Sequence, residues 1–232
     1  MGRYCGGNWR GIINKLDYIQ GMGFDAIWIS PVSANIEGSF RWGEPYHVCL
    51  RIISDCGPRT DQQGYWTTDP TKLNPKFGTP ADLKDLSGAL HARGMFLMVD
   101  VALNHAAATS SDISNAALEK AAGGKLLFKK TENYHPKCEM HYGAGETDQM
   151  LQQCWFQIGK ENDNDISLMD LRTESPGVAD VLNDWVGGFT KEYGIDGLRL
   201  DASKHMDLAF QHNLCKAAGV YCAGEVVGED VG

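Results

Sequence analysis

What this sequence has little of narrows its chemistry first. No apolar run approaches the roughly 20 residues that a membrane helix needs, and the opening MGRYCGGNWRG lacks the apolar centre of a signal peptide. Basic side chains are in deficit, 21 against 30 acidic, and the net charge of −9 leaves no electrostatic footprint for nucleic acid. Seven cysteines contain no CxxC pair, which disfavours a zinc ribbon, and their odd number leaves at least one thiol unpaired. What is present, 43% hydrophobic and 22% charged residues over 232 positions, describes an ordinary folding chain of one to two domains with a buried core.

Hydrophobic spacing supplies the architecture. Ile12, Ile13, Leu16, Ile19 and Met22 form one stripe, predicting a helix from Trp9 to a stop at Gly23. Ala26 to Ser30 follows as a short strand apolar on both faces. A second helix is signalled by Thr79 as N-cap, Pro80 at the first position and Asp82 at the third, with Leu83, Leu86 and Leu90 on one face and Gly94 behind it. Met95 to Val101 then reads as a buried strand. A third helix from Ser175-Pro176 to Gly194 leads into Gly197 to Asp201, and a shorter one, Leu208 to Ala218, into a strand ending at Glu225. Helices alternating with doubly buried strands predict a parallel sheet, either an open doubly wound sheet or a (β/α)₈ barrel. Asn104 to Asp170 breaks the alternation and is too long for an ordinary loop, so a small inserted subdomain is expected there. Val48 to Gln63 is a second misfit.

Polar residues gather where those strands end: Asn104 and His105, Arg199 and Asp201, and Glu225. Ligands of parallel α/β folds bind at that edge. An Asp and a Glu at the ends of successive strands, with an Arg on the same face as the Asp to hold it ionised, suit glycoside hydrolysis. Competing motifs carry less. Gly21-Met-Gly23-Phe-Asp-Ala26 fits a dinucleotide pattern but follows a helix instead of a strand. His135, Cys138 and His141 could ligate a soft metal, or Cys138 could instead pair with Cys154 of the same excursion in a disulfide. Tyr65 and Trp66 are either sugar-stacking rings or core.

Three segments are recognisable in order and spacing. Asp100-Val-Ala-Leu-Asn-His105, Gly197-Leu-Arg-Leu-Asp-Ala-Ser-Lys-His205 and Gly224-Glu225-Val226 resemble the first signature segments of the α-amylase family of glycoside hydrolases. The text around them resembles the secreted fungal α-amylases in particular. The resemblance implies an incomplete (β/α)₈ TIM barrel of about strands two to five. Residues 1–103 and 173–232 would form the partial catalytic barrel and 104–172 an inserted calcium-binding subdomain, with the family's C-terminal β-domain absent. It implies retaining endo-hydrolysis of α-1,4-glucosidic bonds in starch or malto-oligosaccharide, with Asp201 as nucleophile, Glu225 as general acid/base and Arg199 keeping Asp201 ionised. His47, Tyr65, Trp66 and His105 would meet the sugar, and Lys204 and His205 would line the other side of the cleft. Calcium would be held by the side chains of Asn104 and Asp170 and the backbone carbonyls of Gln152 and His205.

The resemblance also implies a Cys138–Cys154 disulfide and a partner for Cys5 outside the chain; Cys5 and Cys222 are expected to remain free in this chain. A secreted monomer with no membrane or nucleic-acid partner is expected. Met169 and Arg172 replace a Pro and an acid of the family's usual Leu-Pro-Asp-Leu-Asp text. The family's third catalytic carboxylate is not among these residues, so the chain alone is expected to be inactive. The alternatives are a truncated, non-catalytic product or incomplete gene model, and a related α-glucosidase or transglycosylase of the same family. Val48 to Gln63 separates Tyr46-His47 from Gly64-Tyr65-Trp66, which are contiguous in the family, and reads as a retained intron. Val48 is necessarily encoded by GT-N, Gln63 can be CAG, and Thr60-Asp61 can be ACTGAC, containing a branch-point-like CTGAC.

Overall fold

The chain opens on two short helices where the apolar stripe predicts one. In a computed structural model, which describes residues 7–38, 64–141, 147–159 and 166–226, α1 (Trp9–Ile13) is capped by the Asn8 side chain, which accepts from the Gly11 N–H at 2.7 Å. The helix then tightens, the Lys15 N–H reaching the Ile12 carbonyl, and restarts as α2 (Leu16–Gly21). Gly11 and Asn14 are poor helix formers, and the stripe survives the break because Leu16 still enters the core. The Cys5, His47 and Val48 to Gln63 expectations lie outside the described residues.

Next come β1 (Ala26–Ile29), a bulged antiparallel pair of β2 (Ser33–Asn35) and β3 (Thr67–Leu73), and α3 (Pro80–His91). The helix starts where Thr79 predicts it. The Thr79 hydroxyl accepts from the Asp82 N–H at 3.2 Å and the Asp82 carboxylate accepts from the Thr79 N–H at 2.8 Å, a reciprocal capping box. Arg10 reaches from α1 to Asp82 and Asp85, each at 2.6 Å, tying the two helices together.

From α3 the chain enters β4 (Phe96–Val101) and then the excursion: β5 (His105–Ala108), α4 (Asn115–Leu118), α5 (Asp148–Gln153) and β6 (Ser167–Asp170). It returns through α6 (Pro176–Tyr193), β7 (Gly197–Leu200), α7 (Leu208–Ala218) and β8 (Tyr221–Gly224). Strands β1, β4, β7 and β8 form one parallel sheet in that order. With α3, α6 and α7 connecting them, the arrangement is part of a (β/α)₈ barrel, as expected. Gly194 ends α6 in the left-handed region (φ 60°), where a Cβ would meet the Ser87 hydroxyl. Gly187 lets α6 approach α7 so closely that a Cβ would lie 2.8 Å from the Ala217 carbonyl oxygen.

The strands are not buried on both faces, as their composition predicts. Trp28 is 58% and Phe96 56% exposed, because no described element covers that face. Leu97, Val99, Leu198 and Leu200 face the helices and build the core with Leu83, Leu90, Leu182 and Leu214.

In the excursion β5 and β6 pair antiparallel, His105 opposite Asp170, and Trp155 is fully buried with its ring N–H on the His135 carbonyl. Cys138 and Cys154 are bonded, which removes Cys138 from any soft-metal site. The expectation of a free Cys222 is corrected. It pairs with Cys215, their Cα atoms 6.1 Å apart, because the left-handed Gly219 turns the chain back along the last turn of α7. No helix among the described residues is long and apolar enough to cross a membrane.

Candidate active site

Register builds the site. Asp100 pairs with Arg199 across β4 and β7, and Arg199 with Ala223 across β7 and β8. Asp201 and Glu225, next after their strands, therefore emerge on the same rim. Arg199 joins all three acids: Nη1 lies 3.0 Å from Asp100 Oδ2 and 2.7 Å from Asp201 Oδ1, and Nη2 lies 2.8 Å from Glu225 Oε1. Two carboxylates on the two ends of one guanidinium stand only a few ångströms apart. Glu225 Oε2 accepts the Ala202 N–H at 2.9 Å, and Ala202 is held at φ 54°. That conformation costs an L residue about 1–2 kcal/mol and persists here beside the acid pair.

Asp100 was missed by sequence reasoning. It stands in mid-strand, and only the ladder register reveals that it accepts from Arg199, from the Tyr65 hydroxyl at 3.0 Å and from the Trp28 ring N–H at 3.2 Å. Its place as first residue of the Asp100 to His105 segment was the available signal. The Arg199 guanidinium also lies over the Trp28 and Tyr65 rings, 5.4 and 5.9 Å from their centroids.

One cation among three acids does not neutralise them. Burial pushes Asp100 up to about 6, with Arg199 opposing and Asp201 adding to the rise. Burial likewise pushes Asp201 up to about 6, with Arg199 opposing and Glu225 adding to the rise. Arg199 therefore offsets the burial of Asp201 without restoring an ordinary carboxylate. Burial works against the guanidinium charge too, but Asp100 and Asp201 outweigh it and hold Arg199 protonated. The Tyr65 hydroxyl is pushed up by burial and then by Asp100, so it remains a donor.

The other predicted residues divide. His105 is buried, and burial lowers its pKa, leaving a neutral ring with Nε2 2.8 Å from the Tyr65 carbonyl oxygen. Lys204 is half-buried, its N–H donating to the Glu225 carbonyl. His205 is buried, its Nδ1 2.8 Å from the Leu151 carbonyl oxygen of α5. The Phe156 ring meets both His105 and His205 edge-on, at centroid distances of 5.6 and 4.5 Å, a contact that sequence spacing could not reveal. Trp66, only 1% exposed, turns into a small core with Ile36, Ala107, Ile166 and Leu168.

Asn104 and Asp170 meet at the root of the excursion. Asn104 Nδ2 donates to Asp170 Oδ1 at 3.1 Å, and His135 Nδ1 lies 2.6 Å from Asp170 Oδ2. Burial pushes Asp170 up to about 7, against the pull of His135. Asn104 Oδ1 is buried without a hydrogen-bond partner. Gln152 lies in the last turn of α5, where carbonyls lack intrahelical donors. Among the described residues no three His, Cys, Asp or Glu side chains cluster as a metal site.

The catalytic-domain model of the α-amylases matches residues 3–217. This chain belongs to the α-amylase family. Among the proteins it is similar to are α-amylase mde5 of Schizosaccharomyces pombe, 46% identical over 96% of this chain and 37% of that protein, and α-amylase 2 of Schwanniomyces occidentalis, 41% identical over 98% and 39%. The chain thus spans about two fifths of these α-amylases. An α-amylase structure from Malbranchea cinnamomea superposes with a TM-score of 0.80 at 41% identity, covering 98% of this chain and 42% of that one. An acarbose complex of the Geobacillus thermoleovorans α-amylase superposes at 0.71 with 28% identity, covering 98% and 42%.

Proposed function

We propose that the rim of β4, β7 and β8 is the cleavage centre of a retaining endo-hydrolase of α-1,4-glucosidic bonds in starch and malto-oligosaccharides. The observation that carries the reading is the sharing of Arg199 by Asp201 and Glu225. Retention needs two carboxyl groups about 5 Å apart. Asp201 attacks the anomeric carbon while Glu225 gives its proton to the departing glycosidic oxygen. Water then hydrolyses the glycosyl-Asp201 ester, with Glu225 taking the water's proton. Tyr65, His105, Lys204 and His205, with His47, position the sugar.

The residues at the root of the excursion fit calcium. Asn104 Oδ1 is an unpaired buried oxygen, and the Asp170 carboxylate beside it lacks a permanent cation. Side-chain oxygens of Asn104 and Asp170 and the backbone carbonyls of Gln152 and His205 would hold the ion, a donor set of hard oxygens. Calcium there supplies a structural tie between excursion and barrel. The two disulfides support secretion, since such bonds persist in oxidising compartments.

Reducing-sugar release from soluble starch tests the reading, with this chain replacing the segment it matches in the Malbranchea cinnamomea enzyme. The graft is expected to be active and to lose on the order of 10³-fold or more in kcat with Asp201→Asn. Activity that survives Asp201→Asn overturns the assignment, and glucose as the first product points to the α-glucosidase alternative.

A further inference from the structure

Glu225 sits at the end of an edge strand of the described sheet. β8 has four residues, pairs only with β7 among the described residues, and leaves Tyr221 68% exposed. Helix α7 is by contrast fixed. Phe210 and Leu214 are buried, Gln211 donates to the Ser203 and Met206 carbonyls, the Thr190 hydroxyl donates to the Ala218 carbonyl at 2.8 Å, and α6 approaches closely at Gly187. The Cys215–Cys222 bond joins the fixed element to the loose one. Cys222 stands opposite Leu198 in the ladder, three residues before Glu225. Beyond it the Glu225 N–H donates to the Leu200 carbonyl at 2.9 Å, and the carboxylate takes its bonds from Arg199 and Ala202.

We infer that Cys215 and Cys222 are positioning residues: their disulfide is a covalent clip that holds β8 in register and so sets the acid/base carboxylate on the rim, making that placement dependent on redox state. The functional half of this inference rests on the assignment of Glu225 proposed above. Opening the clip takes two electrons and two protons. A dithiol attacks one sulfur, passes through a mixed disulfide and closes to its own ring, leaving the Cys215 and Cys222 thiols. β8 then loses its covalent tie to α7 and keeps its ladder with β7, the packing of Val220 and Cys222 on the core and the bonds at Glu225, and short edge ladders open readily.

The first test needs no catalysis and uses the full chain. Lys216 lies between the two cysteines and is exposed. A non-reducing tryptic digest should therefore yield residues 205–216 linked to 217–232. Amide exchange in 217–226 should rise roughly tenfold or more in Cys215→Ser and in Cys222→Ser, while 95–101 is unchanged. These variants retain the Cys138–Cys154 bond, and dithiothreitol applied to the folded wild type gives the same readout should a variant fail to fold. Alkylation of both thiols without reductant, or unchanged exchange of 217–226, overturns the clip. The second test uses the graft. Cys215→Ser should lower kcat on starch several-fold and spare a maltoside with an acidic phenol leaving group, which needs little protonation. Equal loss on both substrates overturns the positioning role, while insensitivity of both to Glu225→Gln overturns only the assignment of Glu225.

Discussion

The rim of the sheet and the root of the excursion both bury carboxylates, and they treat the charge differently. At the rim Asp100, Asp201 and Glu225 share one permanent cation, Arg199. At the root Asp170 has an amide and a histidine, and an oxygen of Asn104 is left unpaired. The rim acids are bound by a permanent cation, whereas the root pairs its carboxylate with a titratable histidine and leaves one amide oxygen over.

Removing the permanent cation should have the largest effect. Arg199→Ala leaves buried acids unpaired, and breaking a buried ion pair from one side costs about 3–5 kcal/mol. Urea denaturation of the full chain measures it. A loss below about 1 kcal/mol would show that the rim acids adapt by taking protons and that Arg199 is not what holds them.

The root should respond to an ion where the rim does not. Calcium at a hundred times its Kd should add about 2.7 kcal/mol of stability by mass action. Thermal melts with and without chelator read the difference, and Asp170→Ala should erase it. A calcium shift that persists in Asp170→Ala would place the ion elsewhere.

How much of this contrast could be read before folding follows from the range of the interactions. The limits of α3 and α6 were legible because Thr79-Pro80, Ser175-Pro176, Gly94 and Gly194 act on their nearest neighbours. Asp201, Glu225 and Arg199 were legible because each sits at or beside a strand end. Asp100 was not, since its link to Arg199 exists only once β4 and β7 are in register. The turn of Trp66 into a core while Tyr65 faces the rim and the pairing of Cys222 with Cys215 likewise depend on packing or chain reversal. Spacing along the sequence does not encode them.

Acidity sharpens the contrast within the rim. Asp100 and Asp201 stand near 6 in the folded chain against an ordinary value of 3.8, so the folded state holds more protons than the unfolded one between those limits. Stability from these groups should rise as pH falls from about 6 to about 4, with a slope approaching about 1.4 kcal/mol per pH unit for each extra proton. Arg199, Glu225 and the Tyr65 hydroxyl are the charged and titratable groups that face them. Asp100→Asn should flatten the slope in urea melts taken across this range. An unchanged slope would mean that Asp100 does not hold the proton.

The smallest effect comes from an aspartate moved the opposite way. Asp82, at the start of α3, is lowered to about 2, first by its bonds from Thr79 and then by Arg10. A depressed carboxyl stabilises the fold above its unfolded value of 3.8, and that contribution fades as pH falls towards 2. Thr79→Ala removes the hydroxyl half of the capping box and should cost about 1 kcal/mol at pH 7. The cost should shrink as pH falls from about 3 towards 2, because protonation of Asp82 there dismantles the other half of the same box. The rim gains stability over the neighbouring range from acid that it buries, and the cap loses it from acid that it exposes. A Thr79→Ala penalty that is constant from pH 7 to pH 2 would uncouple Thr79 from Asp82 and reduce the box to a simple cap.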